Sequence, residues 1–223
     1  MEQPKALITG ASRGLGRALA RGLAAAGYQL IADARDGRAL AASLAGLDAT
    51  VIAGDITDPA HRAELARAAD GALDLLVNNA GTLGAAPLPA LADYPLAALR
   101  DAFEVNVVAP LGLSQLLLPA LRARGGAVLN VTSDAAVEPY AGWGGYGAAK
   151  AALEQASAVL AAEEPSLRVW WADPGDLRTQ LHQAAYPGQD ISDRPAPETV
   201  VPGFGKLISQ RLPSGRYRIG ELL

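Results

Sequence analysis

Short, uninterrupted apolar runs alternate along this chain with longer stretches in which alanine and leucine recur at helical spacing. The runs KALIT (5–9), YQLIA (28–32), TVIAG (50–54), LDLLVN (73–78), AVLNVT (127–132) and RVWWA (168–172) have strand length and do not alternate polar with apolar positions. A strand with one wet face alternates and a strand covered on both faces does not, so these runs predict a parallel sheet sandwiched between helices. Helical patterns fall between them, around 14–26, 36–45, 59–69, 95–123 and 146–163. One start is marked in detail: Asp58 can cap the free amides of a helix whose first residue is Pro59, a position where proline costs no hydrogen bond. Repetition of strand and helix predicts a single doubly wound α/β domain, mostly parallel, with ligands bound beyond the carboxyl ends of the strands.

The pattern fails from 180 to 203, QLHQAAYPGQDISDRPAPETVVPG, which reads as a long loop over a binding site. Composition narrows the chemistry. Nineteen basic against 23 acidic residues, scattered along the chain, give no footprint for nucleic acid. Without cysteine there is no thiolate chemistry, and two histidines far apart, His61 and His182, argue against a histidine metal site. The opening MEQPKALITG has an acid and a proline where a secretory signal needs a basic start and a longer apolar run, so a cytoplasmic protein without membrane contact is expected.

TGASRGLG, residues 9–16, follows the first strand and leads into a helix. Gly10, Gly14 and Gly16, with Ser12, Arg13 and Leu15 between them, suit a tight turn that brings backbone amides and a helix N-terminus against a pyrophosphate. The spacing differs from G-x-G-x-x-G in its first gap, so position after the first strand gives the motif its weight. At the end of the second strand a carboxylate would select the ribose 2′-hydroxyl of NAD and an arginine the 2′-phosphate of NADP. Arg35 stands there, with Arg13 beside it, and favours NADP(H) over NAD(H). Asp33, two residues earlier, could pair with Arg35 instead.

YGAAK, residues 146–150, places a tyrosine and a lysine on one helix face. A chance Tyr-x-x-x-Lys pair on a solvated helix is entirely possible, and the pair gains its meaning from Ser133, thirteen residues earlier at a strand end. Carbonyl reduction leaves charge on oxygen that needs stabilising and protonating. A phenol can do this if its pKa falls from about 10, and a neighbouring ammonium is expected to lower it. TGASRGLG, NNAG (78–81), Asn106 in FEVNVVAP, Ser133 in NVTSD, YGAAK and PGDLRT (174–179), in this order, resemble the classical short-chain dehydrogenase/reductase family over nearly the whole chain.

The resemblance implies a Rossmann-type sheet of about seven strands, the last near SGRYRIG, and an oxidoreductase acting on a carbonyl or secondary alcohol. It implies that Tyr146 is the acid/base, that Ser133 binds the substrate oxygen, that Lys150 also holds the nicotinamide ribose, and that Asn106 keeps a water for proton relay. Asp55 and Ile56 would lie beside the adenine, Asn79, Ala80 and Gly81 along its ribose, and Pro174, Gly175 and Thr179 around the nicotinamide. As in the family, the Ala- and Leu-rich helices at 95–123 and 146–163 are expected to join subunits into a homodimer or homotetramer. SDAAVEPYAGWGGY departs from the small residues usual after the serine, so Asp134, Tyr140 and Trp143, with His182 and Tyr186 from the long loop, become candidates for substrate contact. Trp170 and Trp171 are expected to pack in the core. Two other readings stay open: a regulator that binds NADP(H) without turnover, and an epimerase or dehydratase on the same scaffold. The intact catalytic set weighs against the first and the short C-terminal part against the second.

Overall fold

A computed structural model describes residues 3–223. Its centre is a sheet of seven strands, β1 Lys5–Ile8, β2 Gln29–Ala34, β3 Ala49–Ala53, β4 Leu75–Asn78, β5 Ala127–Val131, β6 Arg168–Asp173 and β7 Gly215–Arg218. The order is β3-β2-β1-β4-β5-β6-β7 and every neighbouring pair is parallel. Strand order reverses between β1 and β4, which is where such folds open a crevice. The apolar runs are explained by two separate cores. Ala6, Ile8, Leu75, Val77, Leu129 and Trp170 pack on one face, while Leu7, Leu76, Val128 and Val169 pack on the other. Successive side chains point to opposite faces of a strand, so both parities must be apolar when both faces are covered.

One face carries α1 Gly14–Ala25, α2 Gly37–Ser43 and α8 Val201–Ser209, the last contributing Phe204 and Leu207. The other carries α3 Pro59–Ala68, α5 Ala109–Arg124 and α6 Gly144–Glu163. Asp58 caps α3 as expected, accepting from the Ala60 amide at 2.8 Å. Trp170 is fully buried, its Nε1 donating to Leu212 O at 2.9 Å, whereas Trp171 on the other face is only partly covered.

Two segments differ from the sequence pattern. The single helix expected at 95–123 is α4 Leu96–Phe103 joined to α5 through a π-turn, Glu104–Val108, that contains Asn106. The extra residue in such a turn re-aims the side chain it carries, which apolar spacing alone does not reveal. Among the described residues, Leu96–Arg124 is also the one helix whose length and mean hydropathy, 1.3, would suit a membrane crossing. Here it packs on the sheet through Leu113, Leu117 and Leu121, leaving Leu96, Val108, Leu111 and Leu116 exposed. The expected loop from 180 is not structureless either. It begins with α7 Gln180–Ala185, capped by Thr179 Oγ1, which accepts from the His182 amide at 3.1 Å.

Candidate active site

A cleft of about 1290 Å³ runs across the carboxyl ends of the strands. Its size exceeds the usual single small-molecule site of about 300–1,000 Å³ and leaves room for a dinucleotide with a second ligand. All the residues assigned from sequence to cofactor or substrate line it: Gly10, Ser12, Arg13, Gly14, Leu15 and Gly16 after β1; Arg35 after β2; Asp55 and Ile56 after β3; Asn79, Ala80 and Gly81 after β4; and Pro174, Gly175 and Thr179 after β6. Ser133, Asp134, Tyr140, Trp143, Tyr146, Lys150, His182 and Tyr186 line it too. Asn106 does not: it is fully buried behind the wall.

The cofactor end is shaped mainly by backbone. Gly10 has φ +69°, a conformation that only glycine adopts cheaply, and this turns the chain from β1 toward the start of α1. Thr9 fastens the neighbouring turn: its Oγ1 accepts from the Asn79 and Ala80 amides, each at 3.0 Å. Asn79 Nδ2 returns a hydrogen bond to Thr9 O at 2.8 Å, so its side chain is spent on structure. Asp55 accepts from Thr57 N at 2.9 Å and Thr57 Oγ1 at 2.8 Å, which hold its carboxyl below the usual range. It therefore caps a turn while also facing the cleft.

The structure resolves the competition around Arg35. Asp33, 2% exposed, accepts from Gly10 N at 2.9 Å through Oδ1 and pairs with His61 Nε2 at 3.0 Å through Oδ2. The alternative pairing with Arg35 does not form. The Arg13 and Arg35 side chains are exposed at the cleft and make no hydrogen bond or close ion pair among the described residues, although the charge of Arg35 helps to lower Asp55. Two unspent guanidinium groups beside glycine-turn amides fit the phosphates of NADP(H). His61 had no sequence signal to mark it; its partner lies 28 residues away on another strand.

At the opposite end, α6 begins two residues before Tyr146. Gly147 lets it approach the turn after β5, since a Cβ there would lie 2.5 Å from Ala135 O. That approach brings Tyr146 to Ser133. The Ser133 hydroxyl lies beside the Tyr146 phenol, whose titration it lowers, and donates to Asp134 Oδ1 at 3.0 Å. Having one proton, it can donate to only one of them at a time. Arg216 anchors the turn from below, bonding Ser133 O at 3.2 Å and Glu154 at 3.0 Å.

Lys150 is 4% exposed and donates from Nζ to Val131 O at 2.8 Å, with Nζ 5.6 Å from the Tyr146 ring centre. Burial pushes it down to about 8, against the opposing pull of Glu154. The expected lowering of the tyrosine is overturned. Burial pushes the Tyr146 phenol well above its ordinary value; the Ser133 hydrogen bond pulls it back, and the charges of Asp173 and Asp134 raise it again. Removing the phenolate from water outweighs a lysine that is itself buried and bonded elsewhere. Asn106 commits both side-chain amide atoms to Thr82: Nδ2 donates to Thr82 O at 2.8 Å and Oδ1 accepts from Thr82 N at 3.1 Å. It fixes the loop after β4, beside Gly81.

An aromatic wall closes this end. Trp143 meets Tyr146 edge-on at 5.7 Å and Tyr186 at 6.2 Å, and His182 stacks obliquely on Tyr186 at 5.1 Å. Tyr94, which no local pattern singles out, holds the facing loop through Leu83 O at 3.2 Å and Ala85 N at 3.1 Å.

Comparison with known proteins agrees with this geometry. Residues 4–190 match the family model described as short chain dehydrogenase. A serine 3-dehydrogenase of Rhizobium radiobacter is 37% identical over 196 residues, covering 84% of this chain and 78% of the relative. A sepiapterin reductase of Meriones unguiculatus is 37% identical over 199 residues, covering 80% of this chain and 76% of its own. Among solved structures, a short chain dehydrogenase of Escherichia coli CFT073 in complex with NADPH superposes with a TM-score of 0.91 at 28% identity, covering 98% of this chain and 97% of that one.

Proposed function

Because the chain belongs to the short-chain dehydrogenase family and is an oxidoreductase of that family, we propose that it transfers hydride between NADP(H) and a carbonyl or secondary alcohol. The observation that supports this most is the convergence of Ser133, Tyr146 and Lys150 in the same cleft as two unspent arginines. Gly10 and its following turn would hold the pyrophosphate, Arg13 and Arg35 the 2′-phosphate, and Lys150 the nicotinamide ribose. NADPH, when bound, supplies the hydride. Preference for it over NADH rests on Arg35 being free, which the Asp33–His61 pair makes possible.

The chain's own residues then handle oxygen and proton. Ser133 turns its hydroxyl from Asp134 to the substrate oxygen, and Tyr146 donates the proton that neutralises it. The raised phenol is well placed for this: it stays protonated across the neutral range until a developing oxyanion draws the proton. In the oxidation direction the phenol must first lose that proton, a step that burial opposes. Tyr94, Leu83 and the Trp143 wall exclude water from the reacting end.

The test is a panel of ketones, aldehydes and secondary alcohols offered with each cofactor, alongside direct titration of NADPH binding. Turnover of at least one carbonyl with NADPH, more efficiently than with NADH, is expected. Tight NADPH binding without turnover across the panel would instead favour the regulatory alternative.

A further inference from the structure

Asp134, Asp173 and Asp176 line the end of the cleft that holds Tyr146. Two of these carboxylates have guanidinium neighbours: Asp173 lies 3.6 Å from Arg216, and Asp176 lies 3.7 Å from Arg194. Asp134 has none among the described residues. Its Oδ1 accepts the Ser133 hydroxyl at 3.0 Å and its Oδ2 the Tyr140 hydroxyl at 2.9 Å. Two hydroxyls orient a carboxylate without neutralising it.

A partly buried carboxylate held in place by two hydroxyls, with no cationic side chain paired to it, is a binding point for a cation. Trp143 and Tyr186, packed with Leu83 around Tyr146, supply apolar surface beside it and aromatic faces that attract a cation further. The same end also holds an unpartnered polar atom. His182 is 7% exposed, lines the same end, and leaves Nε2 buried without a hydrogen-bond partner. Lys150, the lysine at this end, is committed to Val131 O, so an anionic substrate would meet little compensation here.

Resting on the oxidoreductase reading above, we propose that the substrate class is an aryl amino ketone, or the matching amino alcohol, with its ammonium on Asp134 and its oxygen at Ser133 and Tyr146. The reach is right: Asp134 lies one hydrogen bond from Ser133 Oγ, so a nitrogen one or two carbons from the carbonyl spans the gap. In the reduction, the carbonyl carbon gains the hydride of NADPH, leaving NADP⁺. The C=O π pair moves to oxygen, which takes the Tyr146 proton, and solvent restores that proton. Asp134 opposes negative charge beside Tyr146, and a bound ammonium cancels that opposition while stabilising the oxyanion.

The test compares 3-(dimethylamino)-1-phenylpropan-1-one with its uncharged isostere 4-methyl-1-phenylpentan-1-one as substrates of the full chain with NADPH. The amino ketone is expected to show a kcat/KM at least about tenfold higher, the worth of one charge-assisted hydrogen bond. Asp134→Asn should bring the ratio close to one, while Tyr140→Phe, which keeps the charge, should preserve a preference. Should Asp134→Asn fail to fold, the wild type still reports: benzyltrimethylammonium must inhibit it more strongly than uncharged neopentylbenzene. Equal or better turnover of the isostere, or turnover of other carbonyls but neither of these, overturns the substrate class and leaves the oxidoreductase reading standing. No turnover of any carbonyl by protein that binds NADPH defeats that reading and this one together.

Discussion

The cofactor end of the cleft is made of backbone and the substrate end of side chains. Around Gly10, recognition depends on amides aimed by one positive-φ turn, with Thr9, Asn79 and Asp55 spent on holding loops in place. Around Tyr146 the cleft is lined by the side chains of Asp134 and Trp143, from the segment after β5, and of His182 and Tyr186, from the segment around α7. An end built from backbone suits one constant ligand, because few side chains can be exchanged without losing the turn. An end built from side chains can change its ligand by substitution, and the chemistry between the two ends need not move.

The sharpest way to break the first end is His61. Replacing it with leucine leaves Asp33 buried beside Gly10 with only one of its two partners. Loss of about 3–5 kcal/mol is expected, the usual cost of breaking a buried pair from one side, together with weaker NADPH binding. Denaturant unfolding and cofactor titration check both. The pair also carries a pH signature. Chiefly through its hydrogen bond to Asp33, and against the cost of burial, the His61 imidazole titrates above its ordinary value; Glu64 and Asp58 raise it further. A raised basic group stabilises fully below the unfolded value of about 6.5, and that contribution fades as pH climbs through the raised folded value. Unfolding midpoints should therefore fall over that window in the wild type and change less in His61→Leu.

A smaller effect sharpens the same end. Arg35→Ala should weaken NADPH binding by about 1.5–3 kcal/mol, one charged hydrogen-bonding partner, and leave NADH affinity nearly unchanged. Equal losses for both cofactors would place Arg35 away from the 2′-phosphate and contradict the assignment.

What could be read from sequence follows the same division. The inner strands β1, β2, β4, β5 and β6 are legible because each announces its double burial locally, whereas the edge strands β3 and β7 bury no residue fully; the glycine turn and YGAAK are legible because their geometry lies within a few residues. The Asp33–His61 pair, the bond from Lys150 to Val131 and the closure of Asn106 on Thr82 join residues 28, 19 and 24 positions apart, and nothing local encodes such meetings. The direction of the Tyr146 shift was missed for a related reason. A lysine four residues away is visible in sequence, but the burial that outweighs it is a property of the assembled wall of Leu83, Ala135 and Trp143. The helix α7 did carry a signal, Thr179 as its cap, hidden in a stretch dominated by proline and glycine.

The most direct measurement is a single turnover of enzyme-bound NADPH with a carbonyl substrate from the panel, comparing wild type with Tyr146→Phe at equal bound cofactor. A slowing of about 10²–10⁴-fold with NADPH affinity retained is predicted, the usual worth of a positioned general acid. Hydride transfer at the wild-type rate in Tyr146→Phe would contradict the account, because the proton would then come from elsewhere.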